Sequence, residues 1–500
     1  MNKKLGLFLL GIAIALFNVQ VKSQDLPTLG LMFSQTNPAG SARILGLGGA
    51  QISLGGDLSS AQSNPAGLGM FNRSSFGFST GLSFINANSN YYGTSTSDLK
   101  LNANIPNFGV VLQKDGENKI RSHVFGLSYN RTADYQSRFE YEGRNAQSSM
   151  LDYFIQQADG TYESDFLDEY SGAYNSLEGL AVQTGVILPT SYFDPNNGVD
   201  YLYDSDILGN PYQTERVTTR GARYQFNIAY GMNYNDVLYL GANIGIASVD
   251  YRRDVAYSES DFSYVPVDAN DTYENPLNSF RLEEDLKISG GGVNTTLGLM
   301  YRPLDFLQIG VAYTSPTYME LEEEFDRSMS VDYRTFDDAY AESDIILANY
   351  SLTTPMKLSG GMTFFAGKFG FISADAEMVD YSQSKFRSSD FSTTNDNSEI
   401  RSSYEKVYNY RIGGEFRYDI FRIRGGYGLS YNGSTDNNTT EVVSGGAGIR
   451  MKHFSFDFAW FNTLRNYDYS PYPMSTPDRT PVVNVFENVG KLVTTVGIYF

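Results

Sequence analysis

The chain has 500 residues, no cysteine and a formal net charge of −20 at pH 7. The absence of cysteine excludes disulfide bonds, thiolate metal sites and a lipid-anchored N-terminal cysteine. The negative charge argues against nucleic acid as a partner, because phosphates would be repelled.

The N-terminal segment 1–23 has the features of a secretory signal peptide. Lys3 and Lys4 precede an apolar run at 5–19, and Ser23 supplies a small residue before the expected cleavage at Gln24. The run is shorter than the ~20 residues that a membrane-spanning helix needs. No later apolar stretch is long enough either, so the exported chain is expected to be a soluble protein or a β-barrel.

Residues 24–73 are unusually rich in small side chains. The sequence NPAG occurs twice in this segment, at 37–40 and 64–67. Because glycine lets backbone approach backbone, we interpret 24–73 as a hatch that plugs a barrel formed by 74–500. Asn caps turns and Pro fixes its own backbone, so the second copy is predicted to set a tight bend through Asn64, Pro65, Ala66 and Gly67.

From Ser74 onward, apolar and polar residues alternate with a period of two, which is typical of β-strands. In the run 454–460, aromatic residues alternate with Ser455, Asp457 and Ala459. An apolar outer face and a polar inner face suit a barrel in lipid. Fourteen strands are predicted, beginning near Ser74, Pro106, Ser122, Ala222, Val237, Glu284, Phe306, Ala348, Phe369, Ser402, Phe421, Glu441, Phe454 and Asn488.

The predicted connections alternate between short and long. Short turns fall at 114–119, 233–236, 302–305, 366–368, 418–420 and 451–453, and long connections at 86–105, 144–221, 257–282 and 467–486. Outer-membrane barrels have tight periplasmic turns and long outer loops in this arrangement. In the longest connection, 144–221, the segments 148–157 and 177–188 are either short helices over the barrel mouth or parts of a mobile surface loop.

The last predicted strand ends at Phe500. Phe500, Ile498 and Val496 share its apolar face. An aromatic final residue on such a strand resembles the terminal recognition signal of bacterial outer-membrane barrels, which implies the barrel assembly machinery as a partner. The strand would also close the sheet, so that no edge is exposed to lipid.

Several motifs are more specific than this general pattern. They are Ser41-Ala42-Arg43, the run Gly46 to Ala50, Asp57, the run Asn64 to Leu68, and the run Tyr313 to Thr317. Together they resemble the FadL-type long-chain fatty acid transporters, and the Tyr- and Asn-rich loops are similar to those of members from Bacteroidetes. The resemblance is weakest over 144–221.

The resemblance implies an all-β fold, a 14-stranded antiparallel transmembrane β-barrel in the bacterial outer membrane with the hatch inside its lumen. It also implies passive transport of hydrophobic molecules, above all long-chain fatty acids, from the outer loops past the hatch and sideways into the membrane. The expected partners are outer-membrane lipid and a hydrophobic small molecule.

A long acyl chain needs an apolar groove, and its carboxylate needs a buried cation. The candidates for the cation are Arg43 in the hatch and four lumen-facing residues, Arg411, Arg422, Arg424 and Arg450. The alternative is that these arginines hold the hatch by pairing with lumen carboxylates, namely Asp375, Glu377, Glu415 and Asp457. Leu29, Leu31 and Phe33 either line the ligand pocket or belong to a flexible terminus.

A lateral exit is expected where the alternation of a strand fails. In the third strand it runs to Tyr129 and breaks at 130–134. The break is either the kink that the resemblance implies or the point where the strand leaves the membrane.

We consider two other classes of function, a docking partner and an enzyme. The acidic outer loops and 144–221 would suit a barrel that acts as a docking partner in protein secretion. An outer-membrane lipase would need a His beside a Ser, but Ser122 and His123 fall on opposite faces of a strand. The glycine pattern of dinucleotide-binding sites, G-x-G-x-x-G, is incomplete here, because Gln51 stands where the third glycine would be. We predict no enzymatic activity, metal or cofactor.

Overall fold

The computed structural model describes residues 25–35, 37–168, 171, 173–191, 202–205, 207, 209–263, 276–334, 336–434 and 439–500. The predicted signal peptide, 1–23, lies outside these residues. Within them, no helix is both long enough and apolar enough to cross a membrane.

Strands dominate the described chain. They are β1 (Ser75–Tyr91), β2 (Thr94–Asp115), β3 (Ile120–Asp134), β4 (Ser137–Arg144), β5 (Leu188–Ser191), β6 (Leu202–Asp204), β7 (Asn210–Tyr234), β8 (Leu238–Ser263), β9 (Leu277–Leu304), β10 (Leu307–Thr314), β11 (Tyr318–Tyr333), β12 (Ala339–Glu342), β13 (Ile346–Thr353), β14 (Lys357–Phe365), β15 (Gly370–Asp380), β16 (Lys385–Arg387), β17 (Lys406–Tyr418), β18 (Phe421–Tyr431), β19 (Thr439–Arg450), β20 (Phe454–Tyr469) and β21 (Val483–Tyr499). The helices are α1 (Leu26–Ser34), α2 (Ala42–Leu45), α3 (Ser60–Ser63), α4 (Met150–Ala158), α5 (Leu177–Gln183) and α6 (Thr394–Ser403), with 3-10 helices at Pro65–Met70, Glu163–Phe166, Tyr381–Gln383 and Pro477–Arg479.

The strands form a closed antiparallel barrel with fourteen positions in its wall. Four positions are interrupted along their length: the third (β3 and β4), the seventh (β10 and β11), the eighth (β14 and β13) and the ninth (β15 and β16). The first strand, β1, pairs with both β2 and the last strand, β21. The sheet therefore has no free edge, and the predicted fold class and strand number are confirmed.

Near the short turns the barrel wall is apolar outside and polar inside. On β20, Phe456, Phe458 and Trp460 are exposed on the outer face, whereas Ser455 and Asp457 are buried in the lumen. The same outward exposure of large apolar side chains recurs around the wall, for example at Ile244, Leu297, Ile372, Ile412 and Ile423. An apolar outer belt of this kind faces hydrocarbon.

Towards the long loops the pattern inverts. The strands β8 and β9 have 26 and 28 residues, far more than the roughly 9–11 that cross a membrane. In their outer halves most inward side chains are apolar and buried, as at Tyr257 and Leu282, with a few charged groups such as the Arg253–Glu284 ion pair among them, whereas outward positions such as Glu283 are charged and exposed. The outer half of the barrel therefore encloses an apolar chamber and has a hydrated exterior.

The interior is filled by N-terminal and loop elements. Within the predicted hatch segment 24–73, residues 37–73 lie across the barrel beside the short-turn half of the wall and contain α2, α3 and the 3-10 helix Pro65–Met70. We reserve the name hatch for these residues, 37–73. The helix α1 lies in the apolar chamber. From the long outer loop, α4 and α5 pack on inward-facing Tyr257 and Phe280, so they are short helices that cap the barrel mouth.

Two predicted connections differ most from the structure, and the connection 257–282 also overlaps β8 and β9 at its ends. Residues 86–105 are not a loop, because β1 and β2 continue as a paired ladder to a turn at Tyr92 and Gly93. The long loop ends at Asn210 rather than at 221, because β7 begins there. The two errors differ in cause. The outward residues of β7 over 210–220, such as Arg216 and Arg220, are polar, so the alternation of a lipid-facing strand is missing there. On β2, Leu99, Leu101 and Ile105 are exposed in alternation with polar residues, and this signal was overlooked.

Candidate functional site

The second NPAG copy seats the hatch against the wall. The Ala66 N–H donates to Asn64 Oδ1 at 3.2 Å, and Asn64 Nδ2 donates to the Ile52 carbonyl at 2.6 Å. Pro65 and Ala66 then lie against three inward-facing glycines that are directly cross-paired in β7, β8 and β9, namely Gly231, Gly241 and Gly298. A side chain at Gly241 would overlap the backbone of Pro65 and Ala66. These contacts give Asn64, Pro65 and Ala66 the role of fixing the hatch against the wall.

Further glycines of the wall support the rest of the hatch. Gly310 lies against the Ile52 backbone, and Gly413 and Gly426 lie against Leu47. Sequence reasoning assigned the close backbone approach to the hatch alone and missed these wall positions. The available signal was the recurrence of glycine on the inward face of successive strands.

Carboxylates of the wall hold the hatch through charge and hydrogen bonds. Asp375 accepts the N–H groups of Gln51 and Ile52 at 2.6 and 2.9 Å. Arg43 of the hatch lies 3.8 Å from both Asp57 and Glu415. Its guanidinium also donates to the Gly56 carbonyl at 3.1 Å, so the hatch arginine is engaged by its own surroundings.

The four wall arginines divide into two groups. Arg411 pairs with Glu377 at 3.2 Å, and Arg424 pairs with both Glu415 and Asp457 at 2.6 Å. Within the described residues, no carboxylate pairs with Arg422 or Arg450. The structure brings Arg43, Arg422, Arg424 and Arg450 to one cavity at the short-turn end, while Arg411 lies in another cavity. Ligand contact by these residues stays a prediction.

The helix α1 occupies the apolar chamber with its own side chains. Leu29 and Phe33 are fully buried there, and the Phe33 ring meets Tyr135 and Tyr251 edge-on at centroid distances of 5.7 and 5.9 Å. Leu31 packs on a neighbouring cluster that contains Val379, Tyr381 and Val407. These three predicted pocket residues therefore fill an apolar volume instead of lining an open one.

A polar cavity of about 120 Å³ lies between the end of α1 and the hatch. Its cations are Arg223, Lys357 and Arg411, and Glu377 is its carboxylate. Arg223 donates to the backbone carbonyls of Phe33 and Gln35, which ties the end of α1 to the wall. The prediction from sequence missed Arg223 and Lys357, because neither lies in a recognisable motif.

Backbone pairing fails between the second and third wall positions. The ladder between β2 and β3 stops at Asn107 and Asn130. Beyond that point β2 pairs only with β1, while β3 bulges after Arg131 and ends at Asp134. We call this interval between β2 and the β3–β4 junction the seam. The predicted break at 130–134 is thus an interruption within the wall.

Side chains close the seam. Arg138 on β4 pairs with Asp98 on β2, and Lys100 Nζ donates to the Ser137 and Thr219 carbonyls at 3.3 and 2.7 Å. At the level of the break, Asp134 pairs with Lys491 on β21 at 3.1 Å and with its neighbour Arg131 at 2.8 Å. The Arg138 side chain of the first pair is 37% exposed, and ion pairs that water reaches contribute little to stability.

The first NPAG copy separates the polar cavity from the seam. A cavity of about 40 Å³ at the seam is lined by Pro106 and Ala133 and by Asn37, Pro38 and Ala39, and the last three also line the polar cavity. The Asn37 N–H donates to the Thr132 carbonyl on β3 at 3.1 Å. A short hatch segment is therefore the partition between the two spaces.

The cap over the chamber is fixed by a buried polar cluster. Glu259 on β8 accepts the Met150 N–H at the start of α4 at 2.7 Å. Tyr472, in the loop between β20 and β21, accepts from Gln213 at 2.8 Å, and burial raises the pKa of its hydroxyl. The cap is thereby joined to the strands beneath it.

No family model and no curated protein matches the sequence. Solved structures match over nearly the whole chain. A FadL homologue from Pseudomonas aeruginosa is 12% identical, with a TM-score of 0.54, and the match covers 93% of this chain and 99% of that one. The toluene transporter TodX from Pseudomonas putida is 13% identical, with a TM-score of 0.52 and the same coverage. The chain has the FadL-type fold.

The FadL-type fold and the apolar belt make this chain an outer-membrane β-barrel, so the short turns face the periplasm. The resemblance expected from the hatch motifs is confirmed as a likeness of fold. The structures that it matches are transport channels rather than enzymes. Within the described part of the chain, no group of three or more His, Asp and Glu side chains is arranged to hold a metal ion.

Proposed function

We propose that the barrel carries hydrophobic molecules passively across the outer membrane, with long-chain fatty acids as its main cargo. The observation that supports this most directly is the position of the polar cavity immediately below the apolar chamber. Together they form an amphipathic space, apolar over most of its length and cationic at one end. A fatty acid has the same division between tail and head.

The chamber provides the surface for the tail. The α1 side chains that fill it, Leu29 and Phe33, contact Tyr251, Leu286 and Ile288 on the wall. An acyl chain that displaced α1 would meet the same apolar surface, and burial of each methylene would contribute about 0.8 kcal/mol. The helix is therefore a reversible occupant of the ligand space in this proposal.

The polar cavity provides the surface for the head group. Its three cations, Arg223, Lys357 and Arg411, outnumber its carboxylate, Glu377. A fatty acid carboxylate would offset part of this excess and would make charge-assisted hydrogen bonds with the guanidinium groups. An uncharged hydrocarbon would gain nothing from these residues, so the cavity favours an acid over a hydrocarbon.

The exit in this proposal is the seam. From the polar cavity a ligand would pass the partition formed by Asn37, Pro38 and Ala39 and reach lipid between β2 and β3. Backbone hydrogen bonds do not hold these two strands together along the seam. No energy-coupling element is needed, because the ligand moves from water to lipid down its own free-energy gradient.

Uptake of labelled oleate by a host strain without a fatty acid channel tests the proposal. Cells that produce this chain should take up oleate with saturable kinetics, and the purified protein should bind it. Lys357→Met should weaken oleate binding while leaving that of an uncharged alkane unchanged. Absence of saturable uptake, together with absence of binding to the purified protein, would overturn the proposal.

A second candidate is a docking role in protein secretion. The capped mouth and the acidic exterior of β11, with Glu320, Glu322 and Glu324 facing outward, would suit a protein partner. Native mass spectrometry of gently purified protein separates the two candidates. A bound fatty acid favours transport, whereas a ligand-free barrel with a stoichiometric protein partner favours docking.

A further inference from the structure

A second charged cavity opens at the periplasmic end of the barrel. It has a volume of about 310 Å³ and shares no lining residue with the polar cavity below α1. Arg417 and Arg422 flank the turn between β17 and β18, and Arg450 ends β19. Arg43 of the hatch and Arg424 lie deeper. We call this space the arginine pocket.

The arginine pocket carries an excess of positive charge. Its five arginines face three carboxylates, Asp57, Glu415 and Asp457, which leaves two positive charges uncompensated. Glu415 is shared between Arg417 at 2.7 Å and Arg424 at 2.6 Å. The net charge of the pocket is thus positive, whereas the whole chain has a net charge of −20.

The two uncompensated arginines lie on the open side of the pocket. Arg422 donates to the carbonyls of Asp419 and Phe421 at 2.6 and 2.7 Å. Arg450 lies over the ring of Tyr499 at 5.1 Å from its centroid. Within the described residues neither forms an ion pair, so both guanidinium groups have hydrogen-bond donors left for a bound anion.

We propose that the arginine pocket binds a phosphate group that enters from the periplasm. A phosphate monoester carries roughly −1.5 to −2 charges at pH 7, which matches the excess of two positive charges. Guanidinium groups bind phosphate oxygens through paired hydrogen bonds. A carboxylate carries only one charge and would leave the pocket positive.

Binding would join the hatch to the wall. Arg43 and Ser41 belong to the hatch, whereas Arg422, Arg450 and Ser455 belong to the barrel, and all of them line the pocket. A phosphate group in contact with both sets would add bonds across the boundary between hatch and wall. A ligand that binds only the folded state raises stability, so phosphate is expected to stabilise the seated hatch.

The test uses the full-length purified barrel in detergent, with inorganic phosphate as the probe at constant ionic strength. Phosphate should raise the midpoint of thermal unfolding more than chloride or acetate does, and calorimetric titration should detect its binding. The double variant Arg422→Gln and Arg450→Gln should bind phosphate at least about tenfold more weakly, through the loss of charge-assisted hydrogen bonds. Neither substitution leaves a carboxylate without its partner, so the variant should fold.

A matched control is available at the same end of the barrel. Arg121→Gln removes an exposed arginine outside the pocket, whose nearest carboxylate is Asp236 at 3.6 Å, and should leave phosphate binding unchanged. Equal stabilisation by phosphate, acetate and chloride would overturn the proposal. So would phosphate binding by the double variant that equals that of the unmodified chain.

The source of the phosphate group is distinguished by two further arms. The stabilisation by inorganic phosphate is compared with that by short-chain phosphatidic acid in detergent and by phosphatidic acid in a lipid nanodisc. Each ligand is tested on the unmodified barrel and on the double variant. Stabilisation by all three that depends on Arg422 and Arg450 supports a site for soluble phosphate compounds. If phosphatidic acid, in the nanodisc and in detergent, stabilises the barrel at a far lower concentration than inorganic phosphate does, the site is one for lipid head groups.

Discussion

At the scale of residues, the hatch is held by main-chain contact and by the satisfaction of its polar groups. A plug in a narrow lumen has many backbone N–H and C=O groups, and each costs free energy if it is left without a partner. Asp375 accepts two of the N–H groups, and Gln308 Nε2 donates to the Ser53 carbonyl at 2.6 Å. Inward-facing glycines allow the backbone to come close enough for such bonds.

Gly241→Ala tests the close approach of the hatch to the wall. The added methyl group would overlap the backbone of Pro65 and Ala66, and overpacking of this kind typically costs about 1–3 kcal/mol. We expect a lower midpoint of thermal unfolding and faster leak of small sugars into liposomes that contain the barrel. The control is Gly360→Ala on β14, where a methyl group meets no atom within 4 Å. Equal behaviour of the two variants would show that the hatch is not seated on the glycines.

Phe33→Ala tests how strongly α1 is bound in the apolar chamber. Phe33 is completely buried against Tyr135 and Tyr251, and removal of such a ring costs about 3–5 kcal/mol. Because α1 competes with ligand in the proposed mechanism, the variant should bind oleate more tightly although its thermal stability is lower. Thr28→Ala, at an exposed position of the same helix, should change neither quantity. Weaker oleate binding by Phe33→Ala would mean that the ring is part of the ligand site.

At the scale of elements, the seam is the place where the wall depends on side chains. Many neighbouring strands are joined by long ladders, such as the one between β7 and β8 that extends from Tyr234 to Asn210. Another gap lies beyond the pair Asp380 and Lys406, where the short strand β16 is paired with β13. Among the described residues, the seam is bridged by the Asp98–Arg138 ion pair, by a bond from Arg138 to the Leu99 carbonyl at 3.2 Å and by the bonds of Lys100. The nearby Asp134–Lys491 ion pair joins β3 to β21. It is therefore a stretch of wall that can open without breaking a backbone ladder.

A chemical cross-link can hold the seam shut. The chain has no cysteine, so Asp98→Cys with Arg138→Cys introduces the only reactive pair, which a short bismaleimide can join. Oleate uptake should fall close to background after cross-linking and should be retained in the unlinked variant. The matched control joins Asn88→Cys and Ser97→Cys, which are directly paired on β1 and β2, and should transport normally. Full uptake through a completely cross-linked seam would place the exit elsewhere.

The strands inside the membrane were predictable from the sequence, and the two short helices of the outer loop were one of the alternatives that it left open, whereas the extensions of the strands outside the membrane were not predicted. The run 454–460 alternates because lipid meets one of its faces, and β20 begins at the expected Phe454. On β2 the same signal was present, because Leu99, Leu101 and Ile105 alternate outward with polar residues, but the stretch was taken for a loop. The break at 130–134 was visible as lost alternation, but the bridge from Asp98 to Arg138 was not, because register across an unpaired interval cannot be read from one strand. The cation Lys357 was missed for a different reason, because it lies in no recognisable motif.

At the scale of the whole molecule, the barrel has two zones with opposite faces. In the membrane zone the outside is apolar and the lumen holds a polar hatch. In the outer zone the outside is charged, as at Asp285 and Glu322, and the inside is apolar, as at Ile288 and Phe325. Each zone thus matches its own surroundings, lipid for one and water for the other. In the proposed mechanism a ligand crosses from the apolar interior of the outer zone to the apolar exterior of the membrane zone, and the seam is where the two surfaces meet.

Fluorescence quenching by brominated lipids tests this arrangement. The chain has one tryptophan, Trp460, which is 43% exposed on the outward face of β20. In vesicles of phospholipids with brominated acyl chains its emission should be strongly quenched, because the indole contacts hydrocarbon. In a Trp460→Phe background, Phe461→Trp moves the probe to a buried inward position, and Glu283→Trp moves it to the outward face of the outer zone. Both should escape quenching, the first because the wall shields it and the second because that face stands in water. Strong quenching at position 283 would mean that the long strands lie within the membrane and that the two-zone description is wrong.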